Sequence, residues 1–499
     1  MNRPHLVTRR GALKSAGALA LAFGALEMAA PLARLPSRTA AAATRPDIQF
    51  DIASLLSAPA QTFGTKVAFQ MPPVHTVFVT GRLDRRPTRA DQAMLASALA
   101  ALETSYPFKA ASVLSFVSYG IPYFRRLPGG LTGELVSSRM PRLLSDRRRY
   151  VLEEARPGPT DVSPANPGLA KRRYQVPVVI ESNDMLLTLR SDSASYLSDV
   201  LAWLGGSNTL RGQAIASPEL GGLLTFTSSR HMFTQTGLPR SVALQNQLPY
   251  AHYMPPESPM WMGFSDQQVN ASGPAAICTF AGHASARFSD AAAGDYFDHG
   301  SIQHLSHDIL DMLQYYDMDT ATSAPGSDGA FVQRVQYVFH APSIARGDAD
   351  QFTDGGGPAF LPNTNHGTGY ARRTAQGIGT SIDFRTGQRE HRMGHLSCLQ
   401  RSSRAADGTP VHIRMDGPGF DDMDVPDGSR QPKLQFTVFV PSADFFSRLR
   451  VSQASLDLAA QFGVSPRNNG LERFITATRR QNFLCPPRRH RAFPLVELG

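Results

Sequence analysis

The order of strand and helix signals along this chain repeats, and that repeat limits it to a narrow set of α+β architectures. In the first part, His75–Thr80 predicts a strand, and Met94, Leu95, Leu99 and Leu102 recur at helical spacing over 89–102. Ala111–Val117, Val176–Ile180 and Met185–Leu189 read as further strands, and Ala194–Leu204 as a second helix. In the second part, Ser301–Leu305 predicts a strand, His307–Tyr316 a helix and Val335–Phe339 extended chain. Leu434–Val440 is again a strand, leading into a helix from Ala443 to Phe462. Strand–helix–strand order occurring twice predicts an α+β chain with duplicated ferredoxin-like halves and facing antiparallel sheets. The repeat lies in the order of elements, not in the sequence itself. A chain of 499 residues is long enough to give each half its own core.

The expected division is an export signal over 1–44, a linker over 45–69, a first half over 70–260 and a second over 261–499. The signal reading rests on Thr8-Arg-Arg-Gly-Ala-Leu-Lys14, an Ala-rich weakly apolar run from Ser15 to Leu32, and small residues at Ser37–Thr44. Paired arginines before a modestly apolar core resemble a twin-arginine leader, which implies passage through that export machinery in the folded state and an extracellular or cell-envelope location. The run is short for a membrane span and carries Glu27. Residues 1–44 hold six Lys/Arg and one Glu, so five of the formal +9 charges lie there and +4 is left for the remainder. So small and scattered an excess does not call for nucleic acid. Asp146–Arg149 and Arg488–Arg491 read as solvated faces. Three cysteines, Cys278, Cys398 and Cys485, form no metal-type pair and cannot be a disulfide framework. The loops at 154–170, 354–369 and 421–432 are long, and long loops are often functional.

Two stretches carry chemistry. Trp261-Met-Gly-Phe-Ser-Asp-Gln-Gln-Val-Asn270 presents an acid, Asp266; Gly394-His-Leu-Ser-Cys398 and Val411-His-Ile-Arg414 present an imidazole, His395, and a fixed cation, Arg414. An axial imidazole, an acid–base group and a permanent positive charge are what a haem peroxidase requires. Each has a plainer reading: a turn carboxylate, a buried histidine in competition with His391, and an ion-paired arginine facing Asp416.

Gly263-Phe-Ser-Asp-Gln-Gln-Val-Asn270 resembles the Gly-Phe-x-Asp-Gly-x-x-Asn motif of the dye-decolourising peroxidase family, with Gln267 where that family has glycine. Gly394-His395 and Ile413-Arg-Met-Asp-Gly-Pro-Gly-Phe420 resemble its later His and Arg segments, with Asp416 where Asn is common. Asn183–Leu189, Gly300–His304, Gly470–Ile475 and Phe483–Pro486 are similar to other stretches of the family. The resemblance implies haem b held by His395 as axial ligand. It implies Asp266 and Arg414 as the catalytic pair, and Gly263, Phe264 and Asn270 about the cofactor. It also implies hydrogen peroxide and an organic reductant as substrates, with one-electron steps. A homo-oligomer is left open. Trp261, Tyr315 and Tyr316 could relay electrons to bulky substrates, although aromatic residues at such positions usually serve packing.

Two other functions stay open. One is a non-enzymatic, exported haem-binding protein on a peroxidase-like scaffold. The other is a metal-dependent exported oxidoreductase or hydrolase using His299, His304, His307 and Asp308, or His391 and His395 at i, i+4. Gly394 discourages a helix at the second pair, and His304 in a strand would point away from its neighbours. No nucleophile elbow, dinucleotide fingerprint or phosphate loop occurs.

Overall fold

A computed structural model describes residues 26, 29–33, 43–57, 60–61, 68–218, 220–254, 256, 258–263, 274–282, 288–316, 378–382, 389–393, 412–454, 456–461, 463 and 471–499. The expectations for Val335–Phe339 and the 354–369 loop lie outside these residues, as does Cys398.

The first unit begins with strand β1 (His75–Leu83) and helix α1 (Arg89–Ser105). Thr88 starts α1 with a capping box: its hydroxyl accepts from the Asp91 N–H, and the Asp91 carboxylate accepts from the Thr88 N–H. Strands β2 (Leu114–Gly120) and β3 (Met185–Ser191), helix α2 (Ala194–Leu204) and strand β4 (Leu224–Phe233) follow. These strands lie antiparallel in the order β4-β1-β3-β2. That is the ferredoxin-like order, in which each helix crosses over one strand on the same face.

Helix α3 (Leu238–Gln245) leads out of the first unit. The second contains β5 (Ser301–Leu310), β6 (Ile413–Arg414), β7 (Gly417–Asp421), β8 (Gln431–Val440), helix α4 (Ala443–Ala454) and β9 (Ile475–Cys485). β6 and β7 both pair with β8 and act as one strand broken at Met415–Asp416, so the order is β9-β5-β8-β6/β7. The same topology therefore occurs twice. β9 meets β2 through Phe483↔Gly120 and Leu484↔Tyr119, which joins both units into one 10-stranded sheet.

The two halves also face each other. One face of the sheet carries Val77, Val79, Val117, Leu187 and Leu189 toward α1 and α2. The other carries Phe78, Phe116, Leu186 and Met232 from the first unit and Leu305, Phe439 and Phe483 from the second into a common core. The far edges meet as well: β7 lies beside β4, with Gly417 against Met232 and Thr234 and Gly419 against the carbonyl of His231.

Several elements differ from expectation. β5 continues to Leu310, and only Met312–Tyr315 is helical where the sequence predicts a helix over His307–Tyr316; all ten residues of β5 are buried, so no polar alternation marks it as a strand. Within the helix expected from Ala443 to Phe462, Ala443–Ala454 and Leu456–Gln461 are helical. The stretch read as a linker contributes Ile48, Phe50, Ile52 and Leu55 to the inter-sheet core, where Phe50 stacks on Phe439 with centroids 4.0 Å apart. Arg488 and Arg491 are not a solvated face: both pair with Glu103 on α1, and Arg489 pairs with Asp47 and Asp298. The other basic cluster divides, with Arg149 paired to Glu153 and Asp444 while Arg148 is exposed. Cys278 and Cys485 are buried free thiols. No helix among the described residues is long and apolar enough to cross a membrane.

Candidate functional site

The two chemistry-bearing motifs are about 150 residues apart in sequence, and the fold brings their described parts into contact. The Trp261 indole N–H donates to the carbonyl of Gly419 on β7 at 3.1 Å, and its ring tilts against Phe420 with centroids 5.9 Å apart. Tyr316, at the end of the short helix Met312–Tyr315 that follows β5, donates its hydroxyl proton to the Trp261 carbonyl at 2.9 Å. The chain then turns at Gly263, whose φ of +79° is a left-handed conformation that glycine adopts without a Cβ clash, and whose N–H donates to Met260. Phe264, Asp266 and Asn270 lie just beyond, outside the described residues, and so does His395. Asp266 is three residues past Gly263, at most about 11 Å of extended chain.

Arg414 stands half-buried on β6, paired with Val438 of β8. Val438 also faces His304 of β5, and His304 faces Asn482 of β9. Residues directly opposite in an antiparallel pair project to the same face, so Arg414, Val438, His304 and Asn482 form one row on the side toward α4. A helix–sheet interface is ordinarily apolar; this one has a polar floor. The floor closes through specific bonds. Asn482 donates its amide N–H to the Glu153 carbonyl at 3.0 Å, so its Oδ1 accepts from Nδ1–H of His304 at 2.7 Å. That leaves Nε2 of His304 to accept from Arg480 at 3.4 Å, while Phe446 of α4 stacks on the ring with centroids 3.6 Å apart. Burial first, and the Arg480 charge second, push the His304 pKa well below its usual value, so the imidazole is neutral.

Arg480 is clamped in turn by Asp161, at 2.6 Å from Nε and 2.9 Å from Nη2, with both side chains buried. Burial opposes the charge on Asp161, but the Arg480 guanidinium beside it prevails and holds the carboxyl well below the ordinary carboxylate range. Arg450 of α4 pairs with Glu472 at 3.0 Å. Asp308, fully buried, accepts from the Ser306 hydroxyl at 2.8 Å, and burial pushes its pKa up. Three cations (Arg480, Arg450, Lys171) thus share this space with Asp161, Glu472 and Asp308. The sequence gives little sign of this network, because Thr478, Arg480 and Asn482 alternate along β9 as an exposed polar face would.

The clustered histidines do not share a ligand position. His304 serves Asn482 and Arg480; His307 reaches across to Gln435 at 3.0 Å; His299 sits by Asp298 at 3.0 Å and Asp47 at 3.3 Å. Among the described residues no group of three His, Cys, Asp or Glu side chains is placed to hold a metal ion. His391 lies on the strand Arg389–Met393, which pairs with Ile378–Ile382, so its backbone does not give the helical i, i+4 spacing to His395. Trp261, Tyr315 and Tyr316 are core residues, at 1%, 0% and 2% exposure, with Tyr250 stacked on Tyr316 at 5.5 Å. Burial pushes the Tyr250 and Tyr316 phenols well above their usual pKa. The packing reading describes them, and none of the three reaches the surface.

A family of unknown function, DUF7405, matches residues 148–327, under half of the chain. No curated protein matches by sequence. Solved structures similar to this chain are DyP-type peroxidases. One from Cellulomonas bogoriensis is 14% identical, with a TM-score of 0.46, covering 83% of this chain and 90% of its own. One from Bacteroides thetaiotaomicron is 14% identical, with a TM-score of 0.44, covering 88% and 98%. The encapsulated enzyme of Mycobacterium smegmatis is 15% identical, with a TM-score of 0.42, covering 87% and 98%. Likenesses of this degree transfer no residue roles; the ferredoxin-like assignment stands on the strand order of the two halves.

Proposed function

We propose that this chain is a haem-dependent peroxidase of the dye-decolourising type, exported by the twin-arginine route, that uses hydrogen peroxide to oxidise organic substrates in one-electron steps. The observation that carries the reading is the contact of Trp261 with Gly419 and Phe420, which sets the stem of the Asp266 motif against the strand edge that bears Arg414. Phe233, Trp261 and Phe420 form an aromatic cluster, and Arg414 is a fixed cation six residues before Phe420 on the same strand edge; a flat apolar macrocycle with an anionic edge would draw on both. Haem b, when bound, supplies the redox chemistry of peroxide cleavage. His395 would hold the iron as a neutral imidazole. Asp266 would take a proton from peroxide and return it to the departing oxygen. Arg414, charged at every working pH, would stabilise negative charge as the O–O bond breaks. Gly263, Phe264 and Asn270 would shape the surroundings. Because Asp266 must begin ionised, activity should favour mildly acidic pH and fall where that carboxylate protonates.

A second reading, a haem-binding protein without turnover, is favoured by Gln267 and Asp416, which add a side chain and a carboxylate where the resembled motifs have neither. The test is the absorption spectrum of protein from haem-replete cells, with and without peroxide, for the wild type and His395→Ala. A Soret band that shifts with peroxide and is lost in the variant is expected. A band indifferent to peroxide favours the second reading, and no band removes haem from both.

A further inference from the structure

The space between the two sheets is charged as well as apolar. Met232, Leu305, Phe439 and Phe483 belong to its apolar core. Arg230 on β4, His307 on β5, Lys433 and Gln435 on β8 and Arg479 on β9 each lie an even number of residues from one of these on the same strand, so they project into the same space. Pairing among them is specific. Arg230 donates from Nη2 to Glu181; Arg479 reaches Glu181 at 3.4 Å and holds Asp424 at 2.6 and 2.7 Å; Lys433 lies 3.4 Å from Asp421 and donates to the Met423 carbonyl.

In number, Arg230, Arg479 and Lys433 balance Glu181, Asp421 and Asp424. In depth they do not. The side chains of Arg230, Lys433 and His307 are 0% exposed, while Glu181, Asp421 and Asp424 are 7%, 18% and 17% exposed. Cations therefore occupy the enclosed part and carboxylates its rim. The enclosed part also holds donors in excess: Nε and Nη1 of Arg230 are buried N–H donors with no hydrogen-bond partner among the described residues. A buried donor left unpaired is costly, and one on a charged group more so. An oxyanion supplies both acceptors and charge at such a place.

We propose that the two halves enclose a binding site for one small oxyanion, a carboxylate or inorganic phosphate, with Arg230 as the recognising cation and Glu181 as the group that competes for it. β4 of the first unit and β5, β8 and β9 of the second all face the site, so an occupant ties the halves together and stabilises the folded chain. The site uses none of Asp266, His395 or Arg414 and stands or falls apart from the haem reading.

Isothermal titration of the purified full-length chain with sodium formate, and separately with inorganic phosphate, tests this at constant ionic strength made up with chloride. One saturable site is expected for at least one of the two, with a rise in melting temperature that follows the same saturation. Formate alone marks a carboxylate site, phosphate alone a phosphate site. Glu181→Gln removes the competing charge and keeps the side chain's size, and should bind the same anion roughly 10-fold more tightly. Arg230→Met should not bind it; if that variant fails to fold, Glu181→Gln decides. No saturable binding of either anion to the wild type and to Glu181→Gln overturns the site and leaves the Arg230 donors to water. Affinity unchanged in Glu181→Gln, or retained in folded Arg230→Met, places the anion elsewhere and overturns it too.

Discussion

At the scale of single residues, the Asp161–Arg480 pair is the feature whose loss should matter most. Both side chains are buried and joined by two bonds, and Arg480 also supports the neutral His304. Removing one partner leaves an uncompensated buried charge, which typically costs about 3–5 kcal/mol, whereas replacing both by apolar groups costs far less. Arg480→Met is therefore expected to lower stability by about 4 kcal/mol at pH 7, and adding Asp161→Leu to recover most of that. Guanidinium titration of the two single variants and the double variant checks it; simple additivity would show that the pair is not coupled. The pH dependence has a definite sign. The Asp161 carboxyl is depressed in the folded protein, so its contribution is complete above the unfolded value, about pH 3.9, and is lost as pH falls through the lower folded value. In Arg480→Met burial is opposed chiefly by Arg450, the carboxyl rises, and the folded variant takes up its proton before the unfolded chain does. The gap between wild type and variant should therefore begin to narrow above about pH 4, where only the folded variant is protonated, and go on narrowing below it.

Among elements, β7 is held closely by its neighbours. A Cβ on Gly419 would lie 2.9 Å from the His231 carbonyl and 3.0 Å from Nε2 of Gln435, and one on Gly417 would lie 2.6 Å from the Thr234 hydroxyl. The edges of the two units can approach only because these positions lack side chains. Gly419→Ala should cost about 1–3 kcal/mol, since a strand backbone, unlike a side-chain tip, cannot step aside. Gly222→Ala, with nothing within 4 Å of the added atom, is the near-neutral control. Thermal unfolding of both decides it, and equal melting temperatures would mean that β7 is not seated as described. Element by element, sequence reasoning worked where the buried positions are apolar. α2 matches its expected bounds, Ala194–Leu204, and β1 and β8 lie where their runs of β-branched and aromatic residues put them. It failed where the buried positions are polar. β5 looked half helical because His304, Ser306 and Asp308 are polar yet turned inward onto the polar floor. β9 went unread as a strand because its polar face points to Asp161 and Glu153 rather than to water. Of the site, the motifs name Asp266, His395 and Arg414, and of these the described residues include Arg414, on β6. The contact between Trp261 and Gly419 was not, because it depends on β7 pairing along β8.

For the whole molecule, the question is what makes two similar halves one unit. Their backbone ladder is short at the junction, where β9 and β2 share only Phe483↔Gly120 and Leu484↔Tyr119. The inter-sheet core contributes more, and so does the C-terminal tail, which leaves β9 in the second unit and returns across the first. The Tyr119 hydroxyl donates to the Arg491 carbonyl at 2.7 Å and accepts from the Phe493 N–H at 2.8 Å; Tyr123 donates to the Pro494 carbonyl at 2.7 Å. Gln92 of α1 donates to the Ala492 and Phe493 carbonyls, each at 3.0 Å, and Glu103 of α1 takes both Arg488 and Arg491. Phe493 and Leu495 are fully buried in the same apolar cluster as Tyr119, Tyr123 and Phe124. The basic run that reads as a solvated face is thus the outer edge of a strap. A chain ended at Pro486 should keep both ferredoxin-like units, because neither strand order uses the tail, yet unfold in two steps rather than one. Denaturation followed by Trp203 and Trp261 fluorescence, one indole in each half of the chain, would separate the transitions. The half that contains Trp203 and α1 should melt first, since it loses the apolar and ionic cover of 487–499. A single coincident transition of unchanged steepness would mean that the inter-sheet core alone couples the halves and that the tail only covers their seam.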